Sequence, residues 1–375
     1  MNSVAARRID PWLLAGMAGL LLLGVGIAAS VGGADSPGAP FEGGPGARQL
    51  LLASAGLGIA FAASMVDYRL LRRHALWLYL GALALLVAAL VVGIDIHGSR
   101  RWLGIGAATV QPSELAKIAV LVMMSTILAG RRVGAGLTML ALGVAAPAIA
   151  LIVVEPDTGT ALVLATGSLA LVVAAGAPWR VVASLLIAAV AVVPLLLAVA
   201  VPDYQRERLA VFVDPARDPL GSGFNVRQAE VAISTSGLTG DGLFNEDESS
   251  LEHVAARGSD FAFAQVGEDL GLAGNVAVLA LFGLVAWRGF EAARAAPDAF
   301  GQLLAAGLTS IVVAQAALHV AVNVRLFPAT GITLPFVSAG GTSVLTVCLI
   351  VGLLQSIAAQ RPASSREQWT AVRWR

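Results

Sequence analysis

Ionisable side chains are rare in this chain, so the segments in which they gather are the candidates for chemistry. Charged residues make up 13% of the 375 residues, and hydrophobic residues make up 57%. The segment Gln111-Pro-Ser-Glu-Leu-Ala-Lys117 places Glu114 and Lys117 three residues apart, on one face of a helix. The pair suits two interpretations equally: a buried ion pair that fixes helix register, or a cation that faces a phosphate-bearing substrate.

Three further segments carry polar or conformationally special residues. Asp157 precedes an apolar run, which predicts a helix N-cap rather than a catalytic group. Asp260 ends a long polar segment, and an acid at a helix edge is by itself more often a cap than a base. The segment 331–343 is interrupted by glycine and proline, and such backbone at membrane depth lines a cavity or is buried by close helix packing.

The composition places these segments in a membrane protein. A soluble domain carries about 25% charged residues, about twice the share found here, and the mean hydropathy is +0.81. The formal net charge is zero, so nothing indicates nucleic acid as a partner. The single cysteine, Cys348, excludes an internal disulfide, and the four histidines lack the spacing of metal ligands.

The apolar stretches predict about ten transmembrane helices in one polytopic domain, residues 1–375, of the all-α class. A crossing needs about 20 apolar residues. Suitable stretches are 11–34, 49–66, 75–94, 133–154, 158–179, 181–202, 270–287 and 299–324. A fourth helix, starting near Ser113, must carry Glu114 and Lys117 into the membrane, and the last helix is placed near 340–360.

The arginines predict the orientation. Fourteen arginines lie in segments on the side of the termini, against four in the short loops of the other side. This bias predicts that both termini are cytoplasmic. The segment 203–262 is then a long extracytoplasmic loop between helices 7 and 8, and residues 361–375 form a cytoplasmic tail.

Taken in order, the polar segments resemble the SEDS family of bacterial shape, elongation, division and sporulation proteins. The resemblance rests on the blocks GSRRWLGIG with QPSELAK, EPDTGTAL, YQRERLAVFVDPARDPLGSGFNVRQ, SDFAFAQVGEDLG and GITLPFVSAGGTS. The steps DYRLLR and GFN resemble RodA more than FtsW. The chain departs from the family pattern in two places: Val254-Ala-Ala-Arg-Gly-Ser259 replaces the family's Leu-Pro-Glu-x-His-Thr, with Gly258 where the family has histidine, and Ala339 stands where the family has tyrosine.

The resemblance implies a fold, an activity and partners. The fold is the GT-C-like, ten-helix SEDS fold, and the activity is polymerisation of lipid II into peptidoglycan strands outside the bacterial cytoplasmic (inner) membrane, for cell elongation and shape. The implied partners are a class B penicillin-binding protein, lipid II and membrane lipid. The family's essential aspartate matches Asp260, and its buried Glu and Lys match Glu114 and Lys117. No cofactor is predicted, and a divalent cation, Mg²⁺ or Mn²⁺, stays an open alternative.

The expected reaction displaces polyprenyl pyrophosphate from C1 of one sugar by the 4-hydroxyl of another. It needs a general base and cationic help for the leaving group, and Asp260 is the candidate base. The candidate substrate-binding residues are Arg101, Glu114, Lys117, Asp157, Arg206, Arg208 and Ser338, among which the arginines suit bidentate phosphate contacts. Two alternatives stay open: a flippase or transporter of a lipid-linked precursor, and a non-catalytic scaffold of a cell-wall complex.

Overall fold

The chain folds into a bundle of long apolar helices. The structure, a computed structural model, describes residues 9–33, 44–96, 99–105, 108–188, 203–218, 221–244, 251, 254 and 257–360. Seven helices within these ranges are long and apolar enough to cross a membrane: α1 (Pro11–Gly33), α2 (Pro45–Met65), α4 (Ala75–Val92), α6 (Ala135–Val154), α11 (Ala262–Ala295), α12 (Ala299–Asn323) and α13 (Gly341–Ala359). The predicted helical, multi-pass fold is therefore confirmed.

Shorter helices complete the described bundle. They are α3 (Arg69–Arg73), α5 (Pro112–Leu128), α7 (Thr158–Ala174) and α8 (Trp179–Ala188). Pro112 occupies the first turn of α5, where its missing N–H costs no hydrogen bond, and this confirms the start predicted for the fourth helix. The count of ten spans stays a prediction, because residues 189–202 of the predicted helix 181–202 lie outside the described residues.

The predicted loop 203–262 contains secondary structure. It holds α9 (Asp203–Val213), a 3₁₀ turn (Pro215–Arg217) and α10 (Ser222–Thr235). Apolar side chains of α10, among them Val226 and Ala229, pack with Phe261 and Ala264 at the start of α11. Because this small core fixes α10 against α11, the described part of the segment is a folded layer.

A small antiparallel sheet interrupts the otherwise helical chain. Strands β1 (Ile94–Ile96), β2 (Ser99–Ile105) and β3 (Ala108–Val110) form a sheet in the order β1-β2-β3. Trp102 pairs with Ile94, and Leu103 pairs with Val110. These strands are a local exception in a mostly helical chain and were not predicted, because β2, Ser99–Ile105, shows no alternation of apolar and polar residues.

Helix α11 begins eight residues before the predicted stretch 270–287. Its first two turns carry Glu268 and Asp269, both buried, and the uncharged run that predicted the helix begins only after these acids. The helix breaks at Gly271, whose φ of +66° suits glycine. The backbone of Gly240 approaches this break so closely that a Cβ on Gly271 would lie 2.4 Å from the Gly240 nitrogen.

Contacts at one end of the bundle join the start of α1 to the end of α13. We call this end of the bundle the terminal face. The Gln355 side chain of α13 exchanges two hydrogen bonds of 2.8 Å with the backbone of Asp10. The Asp10 carboxylate caps the first turn of α1 and forms an ion pair with Arg288 of α11. Asp298, the N-cap of α12, accepts hydrogen bonds from the Tyr68 hydroxyl at 2.6 Å and the Arg69 guanidinium at 2.9 Å.

The ion pair of Asp10 with Arg288 predicts a measurable stabilisation. The Arg288 side chain is only 17% exposed, so the change Asp10→Ala leaves a largely buried cation unpaired. We expect a loss of stability of about 3 kcal/mol, seen as a lower melting temperature in detergent. Glu291→Ala removes a partner of Arg294, which is 68% exposed, and should cost below about 1 kcal/mol. Equal effects of the two changes would contradict this account.

Candidate active site

Asp260, the predicted base, lies in the turn before α11 and is partly buried. Because α11 runs from this turn toward Arg288, Asp260 lies at the end of the bundle opposite the terminal face. Its Oδ1 accepts a hydrogen bond from the Ser259 hydroxyl at 3.1 Å. Its Oδ2 lies 3.6 Å from the point that a Cβ on Gly331 would occupy. The acid therefore faces residues 324–340, which join α12 to α13 and which we call the connecting segment.

Arg208 of α9 reaches the same part of the connecting segment. Its Nη1 donates a hydrogen bond to the Ala329 carbonyl at 3.1 Å and lies 4.0 Å from the Cβ point of Gly331. Gly331 has a φ of +69° and no side chain, so it leaves space beside both groups. The structure thus brings together two predicted site residues, Asp260 and Arg208. Arg206 lies on the same helix as Arg208 and is exposed.

A row of buried polar residues on α12 holds the Asp260 turn. Gln315, His319 and Asn323 follow at intervals of four residues and are each at most 3% exposed. The first N–H groups of a helix have no acceptor within that helix. At the start of α11, the N–H of residue 264 donates to Asn323 Oδ1 at 3.0 Å, and that of residue 263 approaches His319 Nε2 at 3.4 Å.

The same row explains how the connecting segment is fixed. The other ring nitrogen of His319 lies 2.8 Å from the Ile332 carbonyl, so the ring donates there and accepts at its opposite edge as a neutral imidazole. The Gln315 amide donates to the Thr333 carbonyl at 3.0 Å. Sequence analysis missed this row, although three polar residues at helical spacing within an apolar run are the signal that predicts it.

Lys117 and Glu114 form the predicted ion pair. The distance from Lys117 Nζ to Glu114 Oε1 is 2.9 Å, and both side chains are at most 5% exposed. Nζ also donates to Gln315 Oε1 at 2.8 Å, which joins the pair to the α12 row. These contacts support the first interpretation, a buried ion pair that fixes α5 against its neighbours. A phosphate contact of Lys117 stays a prediction.

Ser338 ties the connecting segment to the Asp260 turn. Its hydroxyl donates to the Ser259 carbonyl at 2.6 Å and accepts from a backbone N–H of its own segment at 2.7 Å. The N–H of Ala339 donates to the Gly258 carbonyl at 2.9 Å, so these two departures from the family pattern are neighbours. The Ser338 hydroxyl already donates its proton to the Ser259 carbonyl. A contact between Ser338 and the substrate stays a prediction.

An open cavity of about 270 Å³ lies beside Ala339. Arg48 and Gln49 of α2 line it together with the α2 start at Gly44 and Pro45. The Gln49 amide is 3.3 Å from the Ser338 carbonyl, which connects the cavity wall to the segment that holds Asp260. The cavity therefore borders the connecting segment that Asp260 faces, and it provides room for part of a substrate there.

Arg101 and Asp157 meet at the start of α7. Asp157 is the N-cap of α7, as predicted, and accepts from the N–H of Thr160 at 3.1 Å. Its other carboxylate oxygen accepts from the Gln111 amide at 2.7 Å, and Arg101 Nη1 lies 3.9 Å from the first. A buried carboxylate of this kind orients Arg101, which is 26% exposed at the same end of the bundle as Asp260.

Glu155 is a buried acid that sequence analysis passed over. It is fully buried beyond the end of α6, and neither carboxylate oxygen has a hydrogen-bond partner. Burial, with repulsion from Asp157, raises the pKa of Glu155 to about 8. Burial therefore favours the neutral, protonated form of Glu155 at pH 7.

Residues for a divalent cation do not gather in the described part of the chain. No group of three His, Cys, Asp or Glu side chains there is placed to hold a metal ion. We accordingly assign no chemical step to Mg²⁺ or Mn²⁺ in the site.

Glu155 predicts a pH dependence of stability. Its pKa in the folded chain lies above the unfolded value, so the folded state binds more protons between about pH 4.3 and 8. This contribution to stability is complete below that range and is lost as the pH rises through it. Glu155→Gln should flatten the fall in melting temperature between pH 5 and 8, whereas Glu207→Gln, an exposed change on α9, should not. Parallel curves for wild type and Glu155→Gln would refute the assignment.

Comparison with known proteins identifies the family. The FtsW/RodA/SpoVE family of cell cycle proteins matches residues 13–363. The peptidoglycan glycosyltransferase MrdB of Escherichia coli K12 is 31% identical over 313 residues, which cover 83% of this chain and 85% of that protein. A probable peptidoglycan glycosyltransferase FtsW of Thioalkalivibrio sulfidiphilus is 37% identical over 372 residues, with 93% and 89% covered.

A solved structure shows the same fold. It concerns the structural coordination of polymerization and crosslinking by a peptidoglycan synthase complex. One of its chains is 30% identical, with a TM-score of 0.79, and the match covers 96% of this chain and 100% of that one. The family match, the relatives and this structure agree with the resemblance found in the sequence blocks. The chain belongs to the FtsW/RodA/SpoVE family, the SEDS proteins.

Proposed function

We propose that the chain is a peptidoglycan glycosyltransferase that polymerises lipid II at the outer face of the bacterial cytoplasmic membrane, for cell elongation and shape. The arginine bias predicts cytoplasmic termini, and on that prediction the Asp260 end of the bundle faces outward. The names of the relatives support the activity. The observation that carries the proposal is the placement of an acid and a cation, Asp260 and Arg208, within about 4 Å of one point at Gly331.

The reaction follows from this pair. The 4-hydroxyl oxygen of an acceptor sugar attacks C1 of the donor sugar, and the bond from C1 to the pyrophosphate oxygen breaks as the new C–O bond forms. The hydroxyl proton passes to the Asp260 carboxylate, and the electron pair of the broken bond leaves with polyprenyl pyrophosphate. Because attack and departure occur on opposite faces of C1, the configuration inverts.

The leaving group requires positive charge. Arg208 is the predicted cation that shares the Gly331 point with Asp260, and its guanidinium can contact pyrophosphate oxygens in pairs. Arg206 and Arg101 provide further charge at this end of the bundle, with Asp157 orienting Arg101. Lys117 is buried between Glu114 and Gln315, so we assign it the fixing of α5 against α12.

The likeness to a chain of a peptidoglycan synthase complex supports a crosslinking partner. We infer that this partner is a class B penicillin-binding protein, which would join the strands that the chain polymerises. The activity assays therefore use the chain together with such a partner.

Replacing the base tests the proposal. Asp260→Asn keeps the shape of the side chain but cannot accept the proton, so polymer formed from lipid II should fall by about 100-fold or more. Asp214 follows α9, and its side chain is 55% exposed. Asp214→Asn is therefore the matched control and should leave the rate of polymerisation unchanged. Gels of the polymer, with folding and partner binding checked for each variant, provide the measurement.

Full activity of Asp260→Asn would contradict the assignment of the base. Absence of polymer from the wild-type chain, combined with transfer of labelled lipid II across vesicles, would instead favour a flippase. Absence of both activities with intact partner binding would favour a scaffold.

The space at Gly331 makes a second prediction. Gly331→Ala places a methyl group 3.6 Å from Asp260 Oδ2 in a backbone conformation that disfavours it, and we expect polymerisation to fall about tenfold or more. Gly130 has a similar φ of +73° and nothing within 4 Å of its Cβ point. Gly130→Ala therefore carries similar backbone strain without touching the site. Equal rates for the two variants would show that the space at Gly331 is not used.

A further inference from the structure

The Asn323 side chain bridges α12 to the turn that carries Asp260. It lies at the end of α12 and is 1% exposed. Its Oδ1 accepts from the N–H of Ala264 at 3.0 Å, and its Nδ2 donates to the Asp260 carbonyl at 3.1 Å and to the His319 carbonyl at 2.9 Å. Both amide donors and the amide oxygen are thus used, and two of the three bonds reach the turn.

This bridge fixes the backbone at Asp260 itself and in the first turn of α11. Asp260 is held at its carbonyl, and Ala264 is held at its N–H, four residues later. The direction of a side chain follows from its backbone, and a displacement of about 1 Å at a reacting group can lower a rate about 100-fold. A side chain that fixes the turn therefore controls where the Asp260 carboxylate points.

We propose that Asn323 is a positioning residue for Asp260, which acts through the Asp260 carbonyl and the start of α11. The inference rests on the proposed glycosyltransferase function and extends it to a residue that touches no substrate. It also explains why a neutral amide occupies this position, since a carboxylate there would place a second negative charge beside the acid.

Other titratable groups around the turn set the background for a pH experiment. Arg208 approaches from α9, and neutral His319 approaches from α12. Arg257, in the same turn, points to the Val31 carbonyl of α1. On α10, Glu230 pairs with Arg325 of the connecting segment. All of these groups are the same in wild type and in a variant at position 323, so a difference between the two reports on that position.

The test uses the variants Asn323→Asp and Asn323→Leu in the full chain with its partner. Asn323→Asp keeps the acceptor for Ala264 but loses the amide donor to the Asp260 carbonyl; once ionised, it places a negative charge at the Asp260 turn, so the acidic limb of the kcat/KM profile should move to higher pH by about one unit. Asn323→Leu removes all three hydrogen bonds, so kcat should fall about 100-fold while KM for lipid II changes little.

Asn275 of α11 provides the matched control. It is also buried, at 6% exposure, within a membrane helix, but its amide oxygen has no hydrogen-bond partner, so Asn275→Asp and Asn275→Leu make the same chemical changes at a buried position without removing a bridge to the Asp260 turn. These variants should leave the acidic limb of the pH profile where it is in wild type. Melting temperatures of all four variants separate loss of fold from loss of positioning.

A shifted limb in Asn323→Asp alone supports the inference. If Asn323→Asp does not fold, a lower kcat of Asn323→Leu at unchanged KM and melting temperature supports it. Activity of Asn323→Leu close to wild type, or losses at both positions that follow the melting temperature with no shift, would overturn the inference while leaving the function intact. Absence of polymer from wild type would overturn the proposed function and this inference with it.

Discussion

Backbone groups at a break between helices must find partners inside the protein, because the membrane interior offers no water to satisfy them. In this chain the constraint is strongest where α11 starts and where the connecting segment leaves α12. The α12 row of Gln315, His319 and Asn323 meets it by accepting from the first N–H groups of α11 and donating to carbonyls of the connecting segment. The position of Asp260 depends on this row, which holds its turn from α12, together with the Ser338 and Ala339 hydrogen bonds that hold the same turn from the connecting segment.

The two ends of the bundle differ in what their polar groups do. At the terminal face, Asp10 and Asp298 take part in ion pairs and hydrogen bonds that fasten α1 to α11 and α13, and α12 to the start of α3. At the other end, Asp260 and Arg208 face the space left by Gly331, and a cavity lies nearby. One end of the bundle thus uses its acids for structure, and the other presents an acid, a cation and a cavity. This difference suits an enzyme that binds its substrate from one side of the membrane.

Much of this arrangement could be predicted from the sequence, and the failures have physical causes. The start of α5 at Pro112 and the cap of α7 at Asp157 depend on local rules and were predicted correctly. The start of α11 was placed too late because Glu268 and Asp269 are buried, and burial depends on the neighbours of a helix rather than on its own residues. Asp260 was identified through a resemblance, since an acid before a helix is by itself only a cap candidate. Its contact with the space at Gly331 joins residues 71 positions apart and needs the fold.

A structure of the chain with its partner and a lipid II analogue, in which carbon replaces the oxygen between C1 and the pyrophosphate, tests the central claim most directly. The account predicts the 4-hydroxyl of the acceptor sugar within about 3 Å of the Asp260 carboxylate, and pyrophosphate oxygens on Arg208 beside Gly331. A sugar hydroxyl seated on Glu114 or Asp157 instead, with the space at Gly331 empty, would contradict it.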